Sequence, residues 1–298
     1  MSNFAPVGDL TFCYDEFGNP ADPAVLLIMG LGAQMVFWRP EFCEQIAAHG
    51  YRVIRFDNRD IGLSSKIDDA SPGSGLLPVK LLRYFIGQAV PGSPYTLVDM
   101  ADDAIGVLDH LGVDRAHIVG ASMGGMIAQV VGANHADRVL SDTIIMSSNN
   151  RAFLPPPGPK QLLALLKRPP RSADRDRIIA TSMATGRIIG SQSLPADPTV
   201  AREHAAEYYD RNYYLPGFAR QFAAIMGTGS LVSFNRRITA PTLVMHGSED
   251  KLMRGSASKA VVATVPGARY TEIKGMGHDL PRPLWDRIIR ELTTHFAG

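Results

Sequence analysis

Val119-Gly120-Ala121-Ser122-Met123-Gly124-Gly125-Met126 sets three glycines around one serine, directly after the apolar run His117-Ile118-Val119. Such a stretch can be a loose strand-to-helix turn, a phosphate cradle, or a turn that holds one hydroxyl in a reactive pose. A P-loop cradle would end in Gly-Lys-Ser/Thr, which is missing here. Gly120-Ala121-Ser122-Met123-Gly124 is instead a complete Gly-x-Ser-x-Gly. A sharp strand–turn–helix passage strains the serine backbone and leaves no room for side chains two residues to either side. Gly120 and Gly124 remove those side chains, and Gly125 lets the following helix approach the sheet. The plainer alternative is a glycine-rich junction whose serine merely caps the helix.

A serine hydroxyl is a weak nucleophile and needs a base, and the base needs an acid to orient it. After a strand–serine–helix turn of this kind the chain order is Ser, then Asp or Glu, then His. Four histidines lie far enough downstream: His204, His246, His278 and His295. His278 sits in Lys274-Gly-Met-Gly-His-Asp-Leu-Pro281, a glycine-rich loop after a strand pattern and before the last helix. From there a side chain can reach across the strand ends, so His278 is assigned as base. The acid belongs on the loop after the preceding strand, where Pro241-Thr-Leu-Val-Met-His-Gly-Ser-Glu-Asp250 offers two carboxylates. Asp250 is favoured, because the turn after Gly247 brings it toward the site; Glu249 is the alternative. Backbone N–H groups of Met123 and Leu31 are the expected oxyanion donors, with Gly30 and Gly32 freeing the backbone around Leu31.

Met29-Gly30-Leu31-Gly32 also imitates a dinucleotide-binding fingerprint, since Asp57 follows at about the expected interval. The third glycine of that fingerprint falls on Met35, and Phe37 and Trp38 crowd the helix start, so nucleotide binding is set aside.

Outward from these motifs, short β-like runs alternate with helical patterns. Ala24–Met29, Tyr51–Phe56, Ala116–Gly120, Asp142–Met146, Pro241–His246 and Ala268–Ile273 read as strands, and Thr11–Glu16 as a possible extra antiparallel one. Phe37–His49, Thr96–Leu111, Met123–Asn134, Ser256–Val265 and Pro283–Phe296 read as helices. The alternation predicts an α/β fold with a mostly parallel sheet between helical layers. It breaks between Arg151 and Phe234, after a Leu-Pro-Pro-Pro-Gly-Pro loop signal. There Gln161–Lys167, Asp174–Thr185, Pro198–Arg211 and Gly217–Met226 all read as helices. The predicted organisation is a core of 1–150 and 235–298 carrying a helical cap of 151–234.

Composition narrows the function classes. The chain has 298 residues, is 45% hydrophobic and 20% charged, and carries a formal net charge of +1. That fits a globular protein with a sizeable core. It implies neither a nucleic-acid partner nor an acidic membrane surface. The densest basic stretch, Lys167 to Arg177, is interrupted by Asp174 and Asp176, holds no aromatic residue, and reads as a solvated face. Cys13 and Cys43 form neither a disulfide framework nor a metal motif. No signal peptide and no membrane-length apolar run is visible, so a cytoplasmic location is expected.

Taken in order, Met-Gly-Leu-Gly, Phe56-Asp-Asn-Arg-Asp-Ile-Gly-Leu-Ser64, Gly-Ala-Ser-Met-Gly-Gly, Pro-Thr-Leu-Val-Met-His-Gly-Ser-Glu-Asp and Gly-Met-Gly-His resemble the α/β-hydrolase fold family over nearly the whole chain. Within it the chain is most similar to bacterial esterases of the aclacinomycin methylesterase and mycobacterial lipase/esterase types. The aclacinomycin type shares Met-Gly at the oxyanion loop and the Arg-Asp of Arg59-Asp60. The chain departs from the aclacinomycin type at Leu31, where that type has glycine. The resemblance implies an eight-stranded sheet, a helical cap, a Ser122–His278–Asp250 triad and no cofactor. The charged turn Asp57, Arg59, Asp60 reads as an ion-paired support for the oxyanion loop.

The expected reaction is hydrolysis of a hydrophobic small-molecule ester through an acyl-enzyme. Phe37, Trp38, Tyr213, Tyr214, Phe218 and Phe222 are candidate pocket residues. A lactonase, a carbon–carbon bond hydrolase or a cofactor-free perhydrolase could use the same triad, and a non-catalytic small-molecule receptor is the reading from another class. Oligomeric state is not legible.

Overall fold

The computed structural model describes residues 3–68, 71, 73, 76–166 and 174–298. Its eight strands are β1 (Asn3–Val7), β2 (Leu10–Phe17), β3 (Ala24–Ile28), β4 (Arg52–Phe56), β5 (Ala116–Ala121), β6 (Val139–Ile145), β7 (Thr242–Gly247) and β8 (Arg269–Ile273). They form one sheet in the order β1-β2-β4-β3-β5-β6-β7-β8. β1 pairs with β2, and β2 with β4, in antiparallel fashion; the other pairings are parallel. The helices are α1 (Pro40–Ala47), α2 (Leu77–Phe85), α3 (Leu97–His110), α4 (Met123–Asn134), α5 (Pro159–Leu166), α6 (Arg175–Ile189), α7 (Pro198–Asn212), α8 (Leu215–Thr228), α9 (Val232–Asn235), α10 (Gly255–Val262) and α11 (Trp285–Phe296).

The central strands are buried on both faces, as parallel strands between helical layers must be. Alternate residues of β3 then serve opposite layers. Leu26 and Ile28 pack with α3 and α4, through Ala104, Leu108, Met126 and Ile127. Val25 and Leu27 pack with α1 and α11, through Phe42, Ile46, Ile288 and Leu292. Local signals fix the helix starts. Thr96 accepts from the Val98 and Asp99 amides while Asp99 returns a bond to the Thr96 amide, a capping box at α3. Asp197 caps α7 ahead of Pro198.

The structure departs from the sequence expectations at several elements. β1 escapes notice because Asn-Phe-Ala-Pro-Val carries a proline, yet it holds the sheet edge, where a missing N–H is tolerated. The helix expected from Phe37 becomes a single 3-10 turn, Met35–Phe37, and α1 starts afresh at Pro40. Proline pushes Arg39 out of the helical region and opens the next helix instead. β6 starts three residues before Asp142. α2 and α9 were not anticipated. The helix expected over Gln161–Lys167 is α5, described to Leu166, while Lys167 and the rest of the basic stretch to Ala173 lie outside the described residues. Between β6 and β7 the described chain forms only helices, α5 to α9.

One core feature predicts a pH effect. Asp142 on β6 is wholly buried, and neither carboxyl oxygen has a hydrogen-bond partner among the described residues. Burial pushes its carboxyl up from 3.8 to about 8, so the folded protein holds a proton that the unfolded chain releases. Its contribution to stability is fully present below the unfolded pKa and is lost as pH rises through the folded one. Asp142→Asn, which keeps the shape without the ionisation, is expected to raise Tm at pH 8 and leave it nearly unchanged at pH 4. Urea unfolding at both pH values measures the difference, and parallel pH dependence in the two proteins would refute it.

Candidate active site

Ser122 lies between β5 and α4 with φ 55° and ψ −118°. A backbone so strained costs about 1–3 kcal/mol and must be enforced by its surroundings. The Ser122 amide donates to the Ile145 carbonyl at 2.9 Å, and the Ser147 hydroxyl donates to the Ser122 carbonyl at 2.7 Å. The flanking glycines are needed for space. A Cβ on Gly120 would collide with the Gly124 carbonyl, and one on Gly124 with the Ile28 carbonyl. Ser122 is therefore lifted off the carboxyl end of the sheet at the N-terminus of α4.

His278 and Asp250 arrive from the loops after β8 and β7. His278 Nε2 is 3.0 Å from Ser122 Oγ, and its Nδ1 is 2.7 Å from Asp250 Oδ2. Asp250 Oδ1 accepts from the Leu252 and Met253 amides at 2.9 and 2.8 Å. The carboxyl is shut off from solvent, while the imidazole keeps 9% of its surface open. The histidine loop is fastened from above. The His278 amide donates to the Ile189 carbonyl at the end of α6, and the Gly277 amide to the Ser191 hydroxyl at 2.8 Å. Asp279 accepts from both the Ser191 amide and hydroxyl.

Glu249 faces elsewhere. It accepts from the Gln192 and Ser193 amides at 2.8 and 2.9 Å and from the Ser193 hydroxyl. The Ser193 hydroxyl, above all, holds its carboxyl below the usual range. The competing histidines are also placed elsewhere. His246 is buried against the Ser258 hydroxyl, His295 against the Asp142 carbonyl, and His204 lies on α7.

Gly30 faces the serine: a Cβ there would stand 3.0 Å from Ser122 Cβ and 3.5 Å from Oγ. Among the described residues neither the Leu31 nor the Met123 amide donates to any acceptor. The Gly30–Gly32 loop that carries Leu31 is gripped by α7 and α8. Gly32 donates to Gln221 Oε1 at 2.8 Å, Gln221 Nε2 donates to the Arg59 carbonyl at 2.8 Å, and the Tyr208 hydroxyl donates to the Gly32 carbonyl. Gln34 Nε2 reaches back to the Tyr208 and Asn212 carbonyls at 2.8 and 2.9 Å.

The charged turn below carries the same ties. Asp57 accepts from the Met35 and Leu63 amides and pairs with Arg211 of α7 at 2.6 Å. Burial raises its carboxyl in spite of Arg211. Asp60 takes both arms of Arg220 from α8, at 2.8 and 2.7 Å, and the Tyr95 hydroxyl at 2.7 Å. Arg59 forks onto Asp103. These groups touch one another and the loop, and none bonds to Ser122 or His278.

The six candidate pocket residues separate. The Phe218 ring lies against Gly32, where a Cβ would strike it. Phe37 is half exposed, edge-on to Tyr208. Tyr213 stacks with Tyr209, and the Tyr214 hydroxyl is engaged by Asp68 and Arg220. Phe222 packs toward the α3–α4 core. Trp38 is a correction: it is wholly buried and stacked on Phe42 in the α1–α11 layer, so it is core. The register explains it, because the 3-10 turn at Met35–Phe37 rotates Trp38 inward. Among the described residues no group of three or more His, Cys, Asp or Glu could hold a metal ion.

Sequence reasoning missed Gln221, Gln34 and Ser191. Nothing local marks them, because each bonds a partner far away in the chain. Gln221→Leu removes its bond to Gly32 of the loop and its bond to the Arg59 carbonyl of the charged turn. Turnover is expected to fall about ten- to a hundredfold with little change in KM, since a misplaced oxyanion loop weakens the transition state more than substrate binding. Steady-state kinetics on a p-nitrophenyl ester checks this, alongside Tm to confirm folding.

A family model described as alpha/beta hydrolase fold matches residues 23–281. The chain is 26% identical over 315 residues to the rhodomycin D methylesterase DauP of Streptomyces sp. strain C5, covering 96% of this chain and 95% of that one. It is 26% identical to a 2-hydroxymuconate semialdehyde hydrolase of Pseudomonas putida, covering 80% and 88%. Among solved structures, the enol-lactonase from Burkholderia xenovorans LB400 superposes with a TM-score of 0.74 at 20% identity, covering 99% of this chain and 100% of that one.

Proposed function

Because the chain belongs to the alpha/beta hydrolase fold family, we propose that it is a serine carboxylic-ester hydrolase acting on a hydrophobic small-molecule ester. The observation that carries the reading is the unbroken line Ser122 Oγ–His278–Asp250, with the strained serine facing Gly30 and the Leu31 and Met123 amides left over. Ser122 attacks the carbonyl while His278 Nε2 takes its proton. Asp250 holds the other imidazole nitrogen in the tautomer that makes this possible. Leu31 and Met123 N–H groups receive the tetrahedral oxyanion, each such donor being worth about 3 kcal/mol. The His278 proton then passes to the leaving alcohol, and the same imidazole activates water to release the acid.

We read 151–234 as a cap on this core, with Phe218 as its apolar wall over the oxyanion loop. The rhodomycin D methylesterase relatives direct the substrate choice to a methyl ester, and an apolar wall at Phe218 suits a bulky apolar acid. The test is a panel of methyl esters, p-nitrophenyl esters of rising acyl length, and lactones, run beside fluorophosphonate labelling. Labelling at Ser122 with a methyl or short-chain ester as best substrate is the expected result. Faster turnover of a lactone would replace the ester reading with the lactonase one, and an unlabelled Ser122 would remove both.

A further inference from the structure

Net charge of +1 averages over a strongly uneven chain. Neither 70–98 nor 151–173 contains an Asp or Glu, although the chain has 29 of them; together they hold seven lysines and arginines. The fold brings parts of both stretches together. The Phe153 amide donates to the Phe85 carbonyl at 2.9 Å, and the two rings meet edge to face at 5.5 Å. The Tyr84 hydroxyl fastens α2 to Asn150 Oδ1 at 2.7 Å.

Opposite that anchor α2 turns an apolar face outward. Helical spacing sets Val79, Leu82 and Ile86 on the side away from Tyr84, with Phe85 on one flank and Arg83 on the other. Leu76 is 74% exposed, Leu82 60% and Phe153 70%, with Val79, Phe85 and Ile86 also open. Arg83 and Arg151 are exposed beside them, and Lys80 donates to the Gly73 carbonyl. A contiguous apolar surface of this kind marks a place where something docks.

We propose that the α2–Phe153 surface docks on an anionic lipid surface. Apolar side chains backed by cations, with no carboxylate near them in sequence, fit the acyl boundary and the negative headgroups together. A second copy of this chain fits less well. Face-to-face pairing would bring Arg83 and Arg151 toward their own copies with no acid from either stretch to offset them, and like charges at an interface oppose association. No helix among the described residues is long and apolar enough to cross a membrane, so the contact is peripheral. The chain after α2 leads to the end of α8, where the Val90 amide donates to the Met226 carbonyl, so the docked face adjoins the helix that carries Phe218 and Gln221.

The full chain is tested by co-sedimentation with vesicles of phosphatidylcholine alone and of phosphatidylcholine mixed with phosphatidylglycerol. Expected is binding to the mixed vesicles, little to the neutral ones, and release at high salt. Leu82→Asp with Phe153→Asp is expected to weaken binding about tenfold or more, and Arg83→Glu alone to reduce it severalfold, at unchanged Tm. Ser122→Ala binds as wild type, which separates docking from catalysis. Absence from the anionic vesicles, or equal binding to both kinds, overturns the proposal. So does a dimer in light scattering that the same substitutions dissolve.

Discussion

Ser122→Ala is expected to lower ester turnover by about a million-fold, to the level left by binding and the oxyanion donors alone. The size follows from the geometry. Among the described residues no other hydroxyl bonds His278 Nε2, so the loss of the Ser122–His278 contact at 3.0 Å leaves the imidazole without a protein nucleophile to activate. The substitution should not disturb the fold. Alanine can occupy the same φ of 55° at the same strain, and the backbone bonds to Ile145 and Ser147 do not use the lost hydroxyl. Steady-state kinetics, Tm and loss of fluorophosphonate labelling together provide the measurement. A loss of less than about a hundredfold with an intact fold would remove Ser122 from the chemistry.

The elbow was legible because its motif is contiguous. A Cβ on Gly120 would strike the Gly124 carbonyl within the same pentapeptide, whereas Gly124 is held by Ile28 of β3 and Gly125 by Ser147 after β6. The parallel core was legible for a similar cause. β3, β5 and β7 are buried on both faces and therefore read as short, mostly apolar runs. His278 could be picked out by chain order and its glycine-rich loop, whereas the choice between Asp250 and Glu249 rested on a turn whose direction sequence does not encode. That turn depends on Gly247, where a Cβ would strike the Met276 and Gly277 carbonyls of the histidine loop. The grip of α7 and α8 on the Gly30–Gly32 loop was not legible at all. Gln221 and Gly32 are far apart in the chain, and a buried glutamine with two backbone partners looks no different in sequence from one on a surface. Trp38 misled for the opposite reason. It stands close in sequence to the oxyanion loop, but one turn of 3-10 helix sends it to the other side of the layer.

Asp250→Asn is expected to cost about four orders of magnitude in turnover, while Glu249→Gln stays within a few fold of wild type. Asp250 uses one oxygen on the Leu252 and Met253 amides and the other on His278 Nδ1. In the asparagine variant the amides still demand an oxygen, so the NH2 group is turned toward the imidazole. A donor there forces the proton to Nε2, and the nitrogen facing Ser122 can no longer accept. Shape and volume are preserved, so Tm should move little and the whole loss should appear in kcat. Glu249 supplies the internal comparison, one residue away in the same loop. Its carboxylate bonds Gln192 and Ser193, and its replacement loosens that contact without touching the imidazole. The reverse ranking would place Glu249 behind His278. That requires the loop after β7 to turn over, breaking the amide bonds from Leu252 and Met253 to Asp250 and from Gln192 and Ser193 to Glu249 at once.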